Sequence, residues 1–213
     1  PNPPFPIANA KPRSGRRLLT VGTDCSAGKM YTALAIEKAM LARDLSVDFR
    51  ATGQTGILIN GNGVPIDAVV ADFMSGAIEE LCPANDSKHW DIIEGQGSLF
   101  HPSFAGVSLG LLHGAQATDL ILCHEPTRVH MRGLPDFSLP SIEKCIAANL
   151  SAAKLVNPDV RFAGIALNTV ALNNQDTMKI INELSQEFGL ITFDPLKHEM
   201  NDLIDFLLSG QVS

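Results

Sequence analysis

Six short apolar runs punctuate this chain, at residues 18–22, 47–53, 90–94, 120–123, 161–167 and 190–193. Runs this short and this continuously apolar predict strands buried on both faces, as in a parallel sheet. Between them, segments 28–43, 66–81, 107–117, 141–155, 175–188 and 198–208 read as amphipathic helices. Strands alternating with helices predict an α/β protein in three layers, a mostly parallel sheet with helices on both faces. No internal repeat interrupts the pattern.

The polar residues fall in a consistent place. Each apolar run ends in a polar or glycine-rich cluster, at 22–29, 52–56, 94–98, 124–128, 168–169 and 194–195. In an open parallel sheet these ends share one edge, which is where ligands bind. The loops expected on the opposite edge, 43–46 and 157–159, are blander.

The first cluster carries the most specific chemistry. Gly22, Thr23, Asp24, Cys25, Ser26, Ala27, Gly28 and Lys29 follow a strand and open a helix. Glycines at both ends relieve crowding, so successive amides can face inward onto an anion. The helix adds its N-terminal dipole and Lys29 adds a point charge. This is a phosphate loop, and it predicts a P-loop NTPase-like fold. It departs from the common Walker pattern in having five residues between the glycines rather than four. Met30 also follows the lysine, where most such loops place a magnesium-binding hydroxyl. A thioether is a poor ligand for that hard ion, and Thr32 comes two residues too late.

Other clusters supply candidate reacting groups. Glu94, at the end of a Walker B-like strand, reads as a metal ligand or a general base, because a carboxylate at an interior strand end rarely serves packing alone. His101 reads as an acid–base group or as a plain loop histidine. Residues 124–133 hold His124, Arg128, His130 and Arg132, read as metal ligands, carboxylate clamps or a solvated charged loop. The glycine-rich segment with Gln54 and Thr55 reads as a loop closing over ligand, with Asp67 and Asp72 on the helix that follows. Cys25 sits near a helix N-terminus, where a thiol pKa tends to fall; a small loop filler is the other reading.

Composition narrows the partners. The chain has 213 residues, 45% hydrophobic and 18% charged, with a net charge of −7. That length suits one well-buried domain, and the charge argues against nucleic acid or an anionic membrane as partner. Four cysteines without a CxxC pair suggest neither a zinc ribbon nor a redox site, and fit a reduced, cytoplasmic protein. Residues 1–16 are proline-rich and read as a tail, or as a spacer cut from an upstream domain, with the P-loop domain spanning 17–213. The expected partner is a small-molecule substrate, and a homo-oligomer is expected; no resident metal is.

Two resemblances meet in these motifs. The loop from Gly22, the Glu94-Gly95-Gln96-Gly97 motif and Asn168 resemble dethiobiotin synthetase and its relatives, in which an asparagine after a late strand helps read the base. That likeness breaks at Met30. Over nearly the whole chain, VGTDCSAGKMYTALAIEK, TGQTGILINGNGVPIDAVVADFMSGAIEEL, IIEGQGSLFHP and LCHEPTRVHMRGLP resemble the C-terminal domain of the DUF1611 family. Within it they are most similar to the D-glutamate N-acetyltransferase branch, whose members also carry an N-terminal Rossmann-like domain.

The resemblance implies acetyl transfer from acetyl-CoA to the amine of D-glutamate. The loop from Gly22 to Met30 with Asn168 would hold the cofactor, and Glu94, His101 or His124 would take the amine's proton. Arg128 and Arg132, with Gln54 and Thr55, would bind the substrate. The alternatives are a ligase or kinase using ATP with magnesium, and a non-catalytic nucleotide-binding module.

Overall fold

A computed structural model of the chain describes residues 4–210; the first and last three residues, including the start of the 1–16 stretch, lie outside the described residues. In chain order the first elements are β1 (Arg16–Gly22), α1 (Lys29–Leu41), β2 (Val47–Arg50), α2 (Gln54–Asn60), a 3₁₀ turn (Ile66–Ala68) and α3 (Ala71–Leu81). Then come β3 (Trp90–Ile93), α4 (Ala105–Ala115), β4 (Asp119–His124), β5 (His130–Met131) and β6 (Leu134–Ser138). The last are α5 (Ile142–Ala153), β7 (Arg161–Leu167), α6 (Asn174–Phe188), β8 (Ile191–Phe193) and α7 (Asn201–Ser209).

Six strands form one parallel sheet in the order β2-β3-β1-β4-β7-β8, and β5 pairs with β6 as a separate antiparallel ribbon. Side chains alternate across the sheet. Leu19, Val21, Leu120 and Leu122 pack toward α3, α4, α5 and α6; Leu18, Ile121 and Cys123 pack toward α1 and α7. Two cores on one sheet make the three layers. The six apolar runs are the six strands because both faces of each are covered, leaving no face to solvate. No helix among the described residues is long and apolar enough to cross a membrane.

Three features depart from the sequence pattern. The helix expected over 66–81 is broken: Val69 and Val70 have extended ψ angles of 134° and 136°, so Asp67 lies in the 3₁₀ turn and Asp72 in the first turn of α3. Neighbouring β-branched residues favour that extended backbone. Helix α2 forms inside what reads as a glycine loop. The Thr52 and Gly53 amides that lead into it find an acceptor in Glu94, and Gly56 is needed there because a Cβ would lie 2.2 Å from Glu94 Oε2. The ribbon of β5 and β6 arises in the charged segment after β4.

Residues 4–15 have no helix or strand, yet they are held closely. The amides of Asn9 and Ala10 donate to the Glu79 carboxylate at 2.9 and 2.8 Å. Arg13 donates to the carbonyls of Glu79, Cys82 and Gly114, and Phe5 packs on the α3–α4 core.

Candidate functional site

The loop after β1 is built by close approach. At Gly22 a Cβ would sit 2.8 Å from the Asp24 carbonyl oxygen, and at Gly95 one would sit 1.6 Å from that of Thr20. No larger residue fits either place without moving backbone. The chain passes through left-handed backbone at Ser26 (φ 53°) and Gly28 (φ 104°), then enters α1.

Asp24 organises the loop. Its Oδ1 accepts from the Cys25 amide at 2.7 Å, and its Oδ2 accepts from Arg128 Nη1 at 2.8 Å and the Arg132 amide at 2.7 Å. Burial opposes the charge, but the Arg132 amide, the Arg128 guanidinium and the Cys25 amide together hold this carboxyl below the usual range. Arg128 also donates to the carbonyl oxygens of Cys25 (2.7 Å) and Ser26 (3.3 Å), and pairs with Glu125. In a trans peptide the next amide points opposite to the carbonyl. The amides of Ser26 and Ala27 therefore turn away from Arg128. From Ser26 through Tyr31, none of the loop amides has a hydrogen-bond acceptor among the described residues. Unpaired donors at a helix N-terminus have the form of an anion cradle.

Lys29 is buried and folds back to donate to the Asp24 carbonyl at 2.8 Å, leaving two of its three N–H donors. Burial pushes its pKa below that of an ordinary lysine. Lys29, Met30, Glu94, Gln96 and Asn168 line a cleft of about 350 Å³. The Thr32 hydroxyl instead accepts from the Cys123 thiol at 3.5 Å, within the core. Neither residue therefore brings a hydroxyl to the phosphate side of the loop.

Of the candidate reacting groups, Glu94 faces this cleft. Its Oε2 accepts from the Thr52 and Gly53 amides at 2.9 and 3.0 Å, which leaves Oε1 for a guest. His101 is buried away from it, with Nδ1 accepting from the Ser103 amide and Nε2 donating to the Arg132 carbonyl at 3.3 Å. His124 Nδ1 meets Thr23 Oγ1 at 3.0 Å, and burial pushes the imidazole down to about 4, so it is neutral at pH 7. The Cys25 thiol is pushed up, first by burial and then by Asp24, contrary to the depression expected at a helix N-terminus. Gln54 and Thr55 lie exposed on α2, and the Arg132 side chain is exposed on the ribbon. Arg128 is thus engaged with the loop, while the Arg132 side chain has no hydrogen-bond partner among the described residues.

A second cleft, about 340 Å³, adjoins the first and shares Gly28, Tyr31 and Asn168 with it. Its other wall is the 194–197 segment after β8, with Leu196 and Lys197. Sequence reasoning singled out neither Tyr31 nor these two. The polar cluster at 194–195 was the one signal that pointed toward them.

The family model described as "Domain of unknown function (DUF1611_C) P-loop domain" matches residues 6–204. The chain belongs to the DUF1611 family. Two curated relatives in the comparison are each named D-glutamate N-acetyltransferase. That from Tritonibacter scottomollicae is 53% identical over 97% of this chain and 62% of its own length. That from Pseudoalteromonas sp. is 55% identical over 96% of this chain and 61% of its own. The chain thus spans less than two thirds of these relatives' length. A crystal structure of a DUF1611 protein from Anabaena variabilis superposes with a TM-score of 0.90 at 34% identity, covering 98% of this chain and 63% of that one. Fold likeness extends to an ADP-bound nucleotide-binding protein from Archaeoglobus fulgidus, with a TM-score of 0.52 at 12% identity over 93% of this chain and 87% of that one. This DUF1611 domain therefore has the P-loop NTPase-like α/β fold.

Proposed function

We propose that this DUF1611 domain is the cofactor-binding part of an N-acetyltransferase that moves an acetyl group from acetyl-CoA to the amine of D-glutamate. The loop carries the reading. It offers amides from Ser26 to Tyr31 and the buried Lys29 ammonium to an anion, while Met30 stands where a magnesium-binding hydroxyl would be. CoA brings a diphosphate that such a cradle holds without metal. The relatives' shared name supports the acyl acceptor.

The acceptor amine must lose a proton before it attacks the thioester carbonyl. Glu94 is best placed to take it, since it lines the cleft and its Oε1 has no hydrogen-bond partner among the described residues. The engaged nitrogens of His101 and the low basicity of His124 suit both to holding the site together. Loop amides would steady the tetrahedral oxyanion. Arg132, exposed and bonded through its amide to Asp24, would meet a substrate carboxylate, whereas Arg128 would shape the loop.

Full-length protein incubated with acetyl-CoA and D-glutamate should release free CoA thiol. Magnesium-dependent ADP formation without thiol release would overturn the reading in favour of an ATP-dependent ligase or kinase.

A further inference from the structure

The two adjoining clefts are each lined by a single cationic side chain, Lys29 in the loop cleft and Lys197 in the second. No role described so far uses Lys197. Its Nζ donates to the Thr169 carbonyl at 3.0 Å and to Thr169 Oγ1 at 2.8 Å, with the side chain 34% exposed. That tether fixes the ammonium against the cleft wall and leaves its third N–H for a guest. The nearby Asp194 is buried, with Oδ1 accepting from the Leu196 amide and Oδ2 from the Thr169 hydroxyl. Its Oδ2 also lies 3.9 Å from Lys197 Nζ, so the two charges are partly matched, but Asp194 is buried and the ammonium is the charge accessible to a guest.

The rest of the cleft suits a flat, mostly apolar group. Tyr31, Val170 and Leu196 stand 57%, 81% and 72% exposed around it, which is unusual for side chains of that size gathered at one cavity. Asn168 Oδ1 accepts from the Val170 amide at 3.3 Å, so its Nδ2 remains as a directional donor. An apolar cleft with a few fixed polar groups is the usual form of a small-molecule site.

We infer that the second cleft receives the nucleoside end of the cofactor and that Lys197 engages its 3′-phosphate, an inference that rests on the acetyl-CoA reading. CoA carries two anionic groups on one ribose, a diphosphate at the 5′ position and a monophosphate at the 3′ position. ATP and ADP carry only the 5′ group. A ligand lying across Gly28, Tyr31 and Asn168 would set its diphosphate in the loop beside Lys29 and present its other phosphate to Lys197. The ammonium then selects CoA over nucleotides that lack the 3′-phosphate, through a charge-assisted hydrogen bond.

Calorimetric titration of the wild-type chain with CoA and with 3′-dephospho-CoA tests this. CoA should bind about tenfold more tightly, a modest factor because Lys197 is partly exposed. Lys197→Met should bring CoA down to the dephospho-CoA level, while dephospho-CoA stays within about twofold of its wild-type affinity. Lys197→Arg should keep the preference. Equal wild-type affinities, or equal weakening of both ligands in Lys197→Met, would overturn the inference and leave the cofactor reading intact. Binding of neither ligand to the wild type would overturn the cofactor reading and this inference with it.

Discussion

At the edge of the sheet where the strands begin, Asp119 accepts from Arg161 Nε at 2.8 Å and lies 3.5 Å from Arg16 Nη2. Near the starts of β2 and β3, Asp48 and Asp91 are bridged by Arg50 at 3.0 and 2.6 Å, with His89 alongside. At the edge where the strands end, Asp24 likewise takes Arg128, yet the loop amides from Ser26 onward and the Lys29 ammonium face open clefts. Both edges are rich in charge. What separates them is whether the charged groups already face opposite charges, since Arg16 Nε and Arg161 Nη2 also lack a hydrogen-bond partner among the described residues yet sit beside Asp119. Even where His89 Nε2 and Asp91 Oδ2 lack a hydrogen-bond partner among the described residues, Arg50 already supplies the cation those carboxylates need. Charge that is internally matched stabilises; donors left facing a cleft bind.

The largest effect should come from the matched edge. Asp119→Ala removes a buried carboxylate and strands two guanidinium groups. Arg161 is 37% exposed on its side chain and can rehydrate, so the cost sits at the lower end for such a break, about 3 kcal/mol. Urea unfolding should show that loss while CoA affinity, measured below the transition, stays unchanged. Reduced affinity in the folded variant would blur the distinction between the edges.

Lys29→Ala reverses the pattern. CoA affinity should fall about a hundredfold, and stability should hold or rise, because a desolvated ammonium has gone. Normal affinity would remove the lysine from the site. Arg128→Ala should act more weakly and on both counts, costing about tenfold in affinity through misaligned loop amides and about 2 kcal/mol in stability, since Asp24 keeps the Arg132 and Cys25 amides. If Arg128 instead bound a substrate carboxylate directly, the substrate KM would rise with CoA affinity untouched.

Much of this contrast was legible in the residues. The loop from Gly22 to Lys29 announces itself because an anion cradle needs glycine, a helix start and a cation in one short stretch. Glu94 was legible because a carboxylate at the end of an interior strand needs a partner. The charged edge was not, because its ions sit at strand starts far apart in the chain, as Arg16, Asp119 and Arg161 do, and not in the loops between. Arg128 was legible as a ligand of carboxylates. The carboxylate it holds is the protein's own Asp24, 104 positions away.

The sequence by itself determined the elements that depend on local order: six apolar runs as strands, most of the helices between them, and a glycine loop with the makings of an anion site. Tertiary structure decided everything that depends on which distant groups meet. It fixed the entry to α2 by bringing Glu94 to the Thr52 and Gly53 amides, turned the loop amides by bringing Arg128 to the opposite carbonyls, and brought Tyr31 and Lys197 to the walls of a second cleft. The physical reason is one of range. Backbone preference and side-chain period act over a few residues, whereas a hydrogen bond or a cleft wall needs only proximity in space, which the order of strands in the sheet supplies.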